Sequence, residues 1–127
     1  MQFDNNNKPK GLKRLFLALG HSFRAFTWLS KNEAAFRQEI LLLVTTLILL
    51  PFLSFSLYDN LLIVSATLFV MFAEIVNTAI EAVVDRIGLE IHELSGLAKD
   101  LGSACVTIAL VILSLVWLVV LYSNFVA

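Results

Sequence analysis

The run Leu101-Gly-Ser-Ala-Cys105-Val-Thr-Ile-Ala-Leu110-Val-Ile-Leu-Ser-Leu115-Val-Trp-Leu-Val-Val120-Leu-Tyr-Ser-Asn-Phe125-Val-Ala127 holds no Asp, Glu, Lys or Arg in 27 residues. A helix rises about 1.5 Å per residue and crosses a hydrocarbon core of about 30 Å in about 20 residues. This run therefore spans a bilayer with turns to spare. Two more apolar stretches precede it. Ile40–Tyr58 is free of charge over 19 residues and Leu61–Ala73 over 13, the latter continuing through Glu74, Asn77 and Glu81 to Val84. Lipid offers no partner to backbone N–H and C=O groups, so spanning segments are helices or closed barrels. Barrel strands alternate polar with apolar residues, and these runs do not. The expected fold is all-α, with transmembrane helices at 40–58, 61–84 and 101–124 in one membrane domain covering 1–127.

Composition agrees with this reading. The chain is 59% hydrophobic and 15% charged, with mean hydropathy +0.87, against about a quarter charged in soluble domains. The net charge of −1 says nothing about a partner, and no nucleic-acid partner is expected. Cys105 is the only cysteine, which excludes an intrachain disulfide and a cysteine-rich metal site. Gln2–Lys10 is polar, and nothing after it looks like a cleavable signal peptide.

Lys and Arg set the orientation. Seven of the nine lie in the first 37 residues, Arg86 and Lys99 lie between the second and third spans, and none lies in the Ser56–Asn60 turn. The N-terminus and the Asp85–Asp100 connection are expected in the cytoplasm, with Trp117 and Tyr122 toward the outer interface. Between residues 11 and 30, Leu12, Leu15, Phe16, Leu19, Phe23 and Phe26 recur at three- and four-residue steps among Lys13, Arg14, His21 and Arg24. That pattern predicts an amphipathic helix in the membrane interface.

Chemistry concentrates in Glu74-Ile-Val-Asn77-Thr-Ala-Ile-Glu81-Ala-Val-Val-Asp85. Steps of three and four residues place Glu74, Asn77, Glu81 and Asp85 on one helical face. A carboxylate at membrane depth costs at least ~2.5 kcal/mol on insertion scales. Helix–helix adhesion accounts for Asn77 and Thr78. It does not account for two glutamates, so the stripe calls for a cation, a second helix or a watery cavity. Glu33 and Arg37, four residues apart, read either as a surface ion pair or as part of a site on the same rim. Lys99-Asp100-Leu-Gly-Ser103 is expected to open the last helix, where a lysine and a hydroxyl suit a phosphate. There is no Gly-x-x-x-x-Gly-Lys-Ser/Thr loop, no soluble protein-kinase motif set, and His21 and His92 are too far apart in sequence to suggest zinc.

The Glu74–Asp85 run resembles the signature of prokaryotic diacylglycerol kinases, Glu-x-aliphatic-Asn-Ser/Thr-small-aliphatic-Glu-x-x-Val/Ile-Asp, at every fixed position. The segments 32–39 and 92–103 resemble the same family, so the likeness covers nearly the whole chain. It implies a homotrimer at the bacterial inner membrane that uses ATP and Mg²⁺ to phosphorylate diacylglycerol to phosphatidic acid, a step of phospholipid biosynthesis. By the same resemblance Glu74 is the base and Asn77 positions groups beside it. Glu33 and Glu81 hold Mg²⁺. Arg14, His21, Glu90, Ile91, His92, Lys99 and Asp100 meet the nucleotide. Arg14, Ala35, Arg37, Glu39, Glu74, Ser103, Trp117 and Tyr122 meet the lipid. The chain departs from the family pattern at His21, Ile91 and Leu97. A related undecaprenol kinase would share Glu74, Glu81 and Lys99. A non-enzymatic scaffold or pore would need no ATP.

Overall fold

The computed structural model describes residues 6–127. Its helices are α1 (Gly11–Asn32), α2 (Ala34–Leu53), α3 (Leu57–Ile87) and α4 (Glu93–Phe125). The chain divides into two compact units, one ending at Ala34 and one running from Ala35 to Ala127.

In the first unit, α1 leaves its apolar stripe exposed, with Leu12, Phe16 and Phe23 the most open. Glu33 ends the helix in an extended conformation, its N–H bonded to Leu29 O at 2.8 Å. Glu33 is thus not helical, and a four-residue helical spacing to Arg37 does not apply. Arg14 and Lys13 sit in the first turns of α1, and the Arg24 guanidinium contacts His21 Nδ1.

In the second unit, α2, α3 and α4 are each long and apolar enough to cross a membrane. α2 carries Pro51 in its last turn, where it has no N–H to give the carbonyl of Leu47 and weakens the helix close to its end, and Ser54 then takes φ 55° to stop it. The turn falls at Ser54–Ser56, earlier than the polarity of Tyr58–Asn60 suggested, because Ser56 caps α3. Its hydroxyl accepts from the Asp59 N–H at 3.1 Å. Asp59 lies in that first turn, and Asn124 Nδ2 donates to its carboxylate at 3.1 Å, tying the far ends of α3 and α4.

α3 and α4 pack along their length. Ala66, Val70, Ala73, Ala109 and Leu113 form the seam, with Val106, Val116 and Trp117 against it. Alanines on both helices let the backbones approach, as suits packing in lipid where dispersion dominates. Leu50 and Phe55 join Ile63 and Val120 in a second cluster, which fixes the end of α2. Trp117 therefore packs into the seam, while Tyr122 is exposed near the end of α4.

α4 begins at Glu93, capped by His92, whose Nδ1 accepts from the Leu94 N–H at 3.1 Å. Lys99 lies nearly two turns inside the helix. The expectation that Lys99–Ser103 opens the helix and uses its free N–H groups is therefore corrected. Those groups belong to residues 93–95, since the Gly96 N–H already bonds His92 O at 3.0 Å, and the His92 cap engages one of them. Only Gly88–His92 separates α3 from α4, because Asp85 and Arg86 continue the α3 helix and Glu93 already begins α4.

Candidate functional site

α3 is 31 residues long, about 46 Å, which exceeds the ~30 Å hydrocarbon core. Measured from its capped end at Leu57, Glu74 lies about 26 Å along, Asn77 about 30 Å, Glu81 about 36 Å and Asp85 about 42 Å. For a helix along the membrane normal, the polar stripe begins at the hydrocarbon boundary and climbs out of it. The insertion cost that makes the stripe conspicuous thus falls mainly on Glu74.

Glu74 is 8% exposed, the most buried acid on the stripe. Glu39 on α2 stands close enough for its carboxylate and that of Glu74 to repel, and its Oε2 is buried with no hydrogen-bond partner. One helical turn from Glu74, the Asn77 amide meets Glu81 Oε1 at a long 3.5 Å, and Asn77 Oδ1 is likewise buried and unpartnered. Gly102 of α4 forms the wall opposite. A Cβ at that position would collide with Asn77 Oδ1. The absent side chain at 102 is what lets Asn77 fit between the helices.

Further out, Lys99 Nζ pairs with Asp85 Oδ1 at 2.8 Å and lies within electrostatic range of Glu81. A cleft of about 280 Å³ opens beside this pair, bordered by Gly88, Glu90, Ile91, His92 and Ser95. The structure thus gathers Glu74, Asn77 and Glu81 in one column on α3, and sets Lys99, Glu90, Ile91 and His92 around one cleft. Asp100 is exposed on α4 next to Lys99, and Ser103 is exposed one residue beyond Gly102. Trp117 and Tyr122 lie about 21 Å and 28 Å along α4 from Ser103. They can meet only a distant part of any ligand held at Glu74. Ala35 and Arg37 begin α2, with Arg37 exposed.

Three positions carry more than the sequence reading gave them. Asp85 was visible on the polar face, but nothing indicated that it holds Lys99. Gly102 was visible only as a glycine in an apolar helix. The nearness of Glu39 to Glu74 had no local signal, since it depends on how α2 meets α3.

The donors offered are all oxygens, from Glu39, Glu74, Asn77 and Glu81, and two of them are buried without partners. Such a set suits a hard divalent cation such as Mg²⁺. Among the described residues no group of three or more His, Cys, Asp or Glu side chains converges as a cage. Magnesium commonly uses one or two carboxylates and completes its shell with water and phosphate, so the residues fit a metal that arrives with a nucleotide.

The family model for prokaryotic diacylglycerol kinase matches residues 20–121. This chain belongs to that family. The diacylglycerol kinase of Escherichia coli strain K12 is 43% identical over 119 residues, 94% of this chain and 98% of that protein. The Haemophilus influenzae diacylglycerol kinase is 46% identical over 110 residues, covering 87% and 93%. The Pseudomonas aeruginosa diacylglycerol kinase is 40% identical over 111 residues, covering 87% and 90%. The match to the family takes in the whole Glu74–Asp85 stripe, the cleft and Gly102.

Proposed function

We propose that this chain transfers the γ-phosphoryl group of ATP to the free hydroxyl of diacylglycerol, giving phosphatidic acid at the cytoplasmic face of the bacterial inner membrane. The observation that carries this reading is the oxygen column Glu74–Asn77–Glu81, which runs from the buried Glu74 toward the cation Lys99. A lipid hydroxyl sits naturally at the hydrocarbon boundary, and a nucleotide comes from water.

Phosphoryl transfer asks for alignment and charge stabilisation more than for covalent chemistry. Glu74, buried beside apolar seam residues and near a second carboxylate, is placed to accept the hydroxyl proton as general base. Asn77, wedged against Gly102, orients groups beside it. Glu81 and Glu33 are the proposed magnesium ligands. When bound, Mg²⁺ would neutralise phosphate charge as the γ-group moves. Lys99 supplies positive charge to the phosphates, Asp100 lies beside it, and Glu90, Ile91 and His92 border the nucleotide in the cleft. Arg14 and His21 on α1 contribute to nucleotide binding, and the exposed apolar stripe of α1 lies in the interface. Ala35, Arg37, Glu39 and Ser103 face the lipid near its headgroup end, and Trp117 and Tyr122 can reach only its tails. The working form is a homotrimer, in which neighbouring copies cover apolar surface of the bundle.

The test compares purified enzyme on diacylglycerol and on undecaprenol in mixed micelles with γ-labelled ATP. Diacylglycerol should be the better substrate by kcat/KM. Equal or greater turnover of undecaprenol would move the assignment to a polyprenol kinase. Absence of transfer to either lipid would favour a scaffold or pore.

A further inference from the structure

Asp85 has no part in the chemistry described so far, yet it makes an ion pair that joins two helices. Its Oδ1 lies 2.8 Å from Lys99 Nζ, across 14 residues of sequence and from one helix to the next. The bland reading is a staple. The two side chains are 50% and 43% exposed, and exposed pairs add little stability. A staple is also hardly needed here, because α3 and α4 are already joined by the apolar seam and by the Asp59–Asn124 bond at the far end.

The placement of the pair argues for more. Asp85 sits two residues before the end of α3, and both partners line the cleft that also holds Glu90 and His92. A lysine ammonium rides on a flexible four-carbon stem and is poorly directed by itself. Glu81, one turn back along α3, also attracts Lys99. Without Asp85, the ammonium would be drawn toward Glu81, which is needed for the metal. We infer that Asp85 is a positioning residue. It holds the Lys99 ammonium over the cleft, away from Glu81, so that the cation meets the phosphates already aimed and leaves the magnesium ligand free.

The inference rests on the nucleotide role proposed for Lys99, and it makes a kinetic claim that a staple does not. Removing the Asp85 charge leaves Lys99 available to bind ground-state phosphate but badly aimed at the transferring group. Asp85→Asn should therefore lower kcat roughly tenfold while KM for MgATP stays the same or falls. Asp85→Glu, which keeps the charge, should recover at least half of the lost kcat. In a Lys99→Met background, Asp85→Asn should add no further loss, because the two residues act as one unit.

The experiment is steady-state kinetics of the full-length enzyme in diacylglycerol mixed micelles for Asp85→Asn, Asp85→Glu, Lys99→Met and the Asp85→Asn/Lys99→Met double variant. Thermal unfolding is recorded for each. If Asp85→Asn proves too unstable to assay, Asp85→Glu alone decides, since a staple predicts wild-type kcat for it and positioning predicts a partial loss. Additive losses in the double variant, or a lowered unfolding temperature with kcat intact, would overturn the inference. If Lys99→Met itself keeps wild-type kinetics, the fault lies instead with the role proposed for Lys99.

Discussion

Replacing Gly102 with alanine puts one methyl group where α4 faces Asn77. The added Cβ would meet Asn77 Oδ1 at a distance real side chains do not tolerate, whereas Asn77 Cγ at 3.4 Å and Ile80 Cδ1 at 3.5 Å would be ordinary contacts. The only severe clash is thus with the tip of a movable side chain, so Asn77 has to turn while the helices hold. Two energies compete in stability. Alanine gains about 0.8–1.0 kcal/mol over glycine in a helix interior, and overpacking costs about 1–3 kcal/mol. The net loss is at most about 2 kcal/mol, which a bundle with two apolar clusters should survive. Catalysis has no such offset. A displacement of about 1 Å at a positioning group costs up to about 10²-fold, or about 2.7 kcal/mol in the barrier. Gly102→Ala should therefore fold, and should lose ten- to a hundredfold in kcat for diacylglycerol phosphorylation in mixed micelles. In an Asn77→Ala background the same change should cost less than twofold, since the struck atom is gone. A folded Gly102→Ala enzyme with kcat within twofold of the parent would refute the claim that this glycine sets Asn77.

Two other substitutions test different parts of the account. Glu81→Gln should raise the Mg²⁺ concentration needed for half-maximal rate about tenfold or more, and wild-type kinetics at limiting Mg²⁺ would remove Glu81 from the ligand set. Ser56→Ala deletes the α3 cap at the opposite end of the bundle, so it should lower stability by about 1 kcal/mol in thermal unfolding while kcat stays unchanged.

The three spans and the polar stripe were legible because each is a local, one-dimensional signal. Long charge-free runs are read as spanning helices from length and composition alone, and a three-four repeat of acids stands out against them. Helix ends were less legible. Ser56 and His92 are caps, but at α4 the polar residues after His92 look like a loop because charge and hydropathy cannot tell a solvated helix from a connector. α3 and α4, at 31 and 33 residues, are longer than the about 20 that a hydrocarbon core needs, and in the excess polarity and helicity part company. What lay beyond reach was contact across helices. The partner of Lys99 is 14 residues away, the repulsion between the Glu39 and Glu74 carboxylates acts between two helices, and Gly102 matters for the atom it admits. Trp117 packs against the α3–α4 seam, a contact that its place in a long apolar run does not reveal.

The family's membership extends the reading of the stripe to the whole chain, but the central physical claim concerns one carboxylate. Glu74 is buried on the polar face of α3, and the role proposed for it there is to take the proton of a lipid hydroxyl. The direct measurement is the rate of labelled phosphatidic acid formation by wild-type and Glu74→Gln enzyme at saturating Mg²⁺, ATP and diacylglycerol, with the oligomeric state of both checked by size-exclusion chromatography. Loss of 10²- to 10⁴-fold in kcat with an unchanged elution profile is the expected result. A Glu74→Gln enzyme that phosphorylates diacylglycerol at the wild-type rate would contradict it.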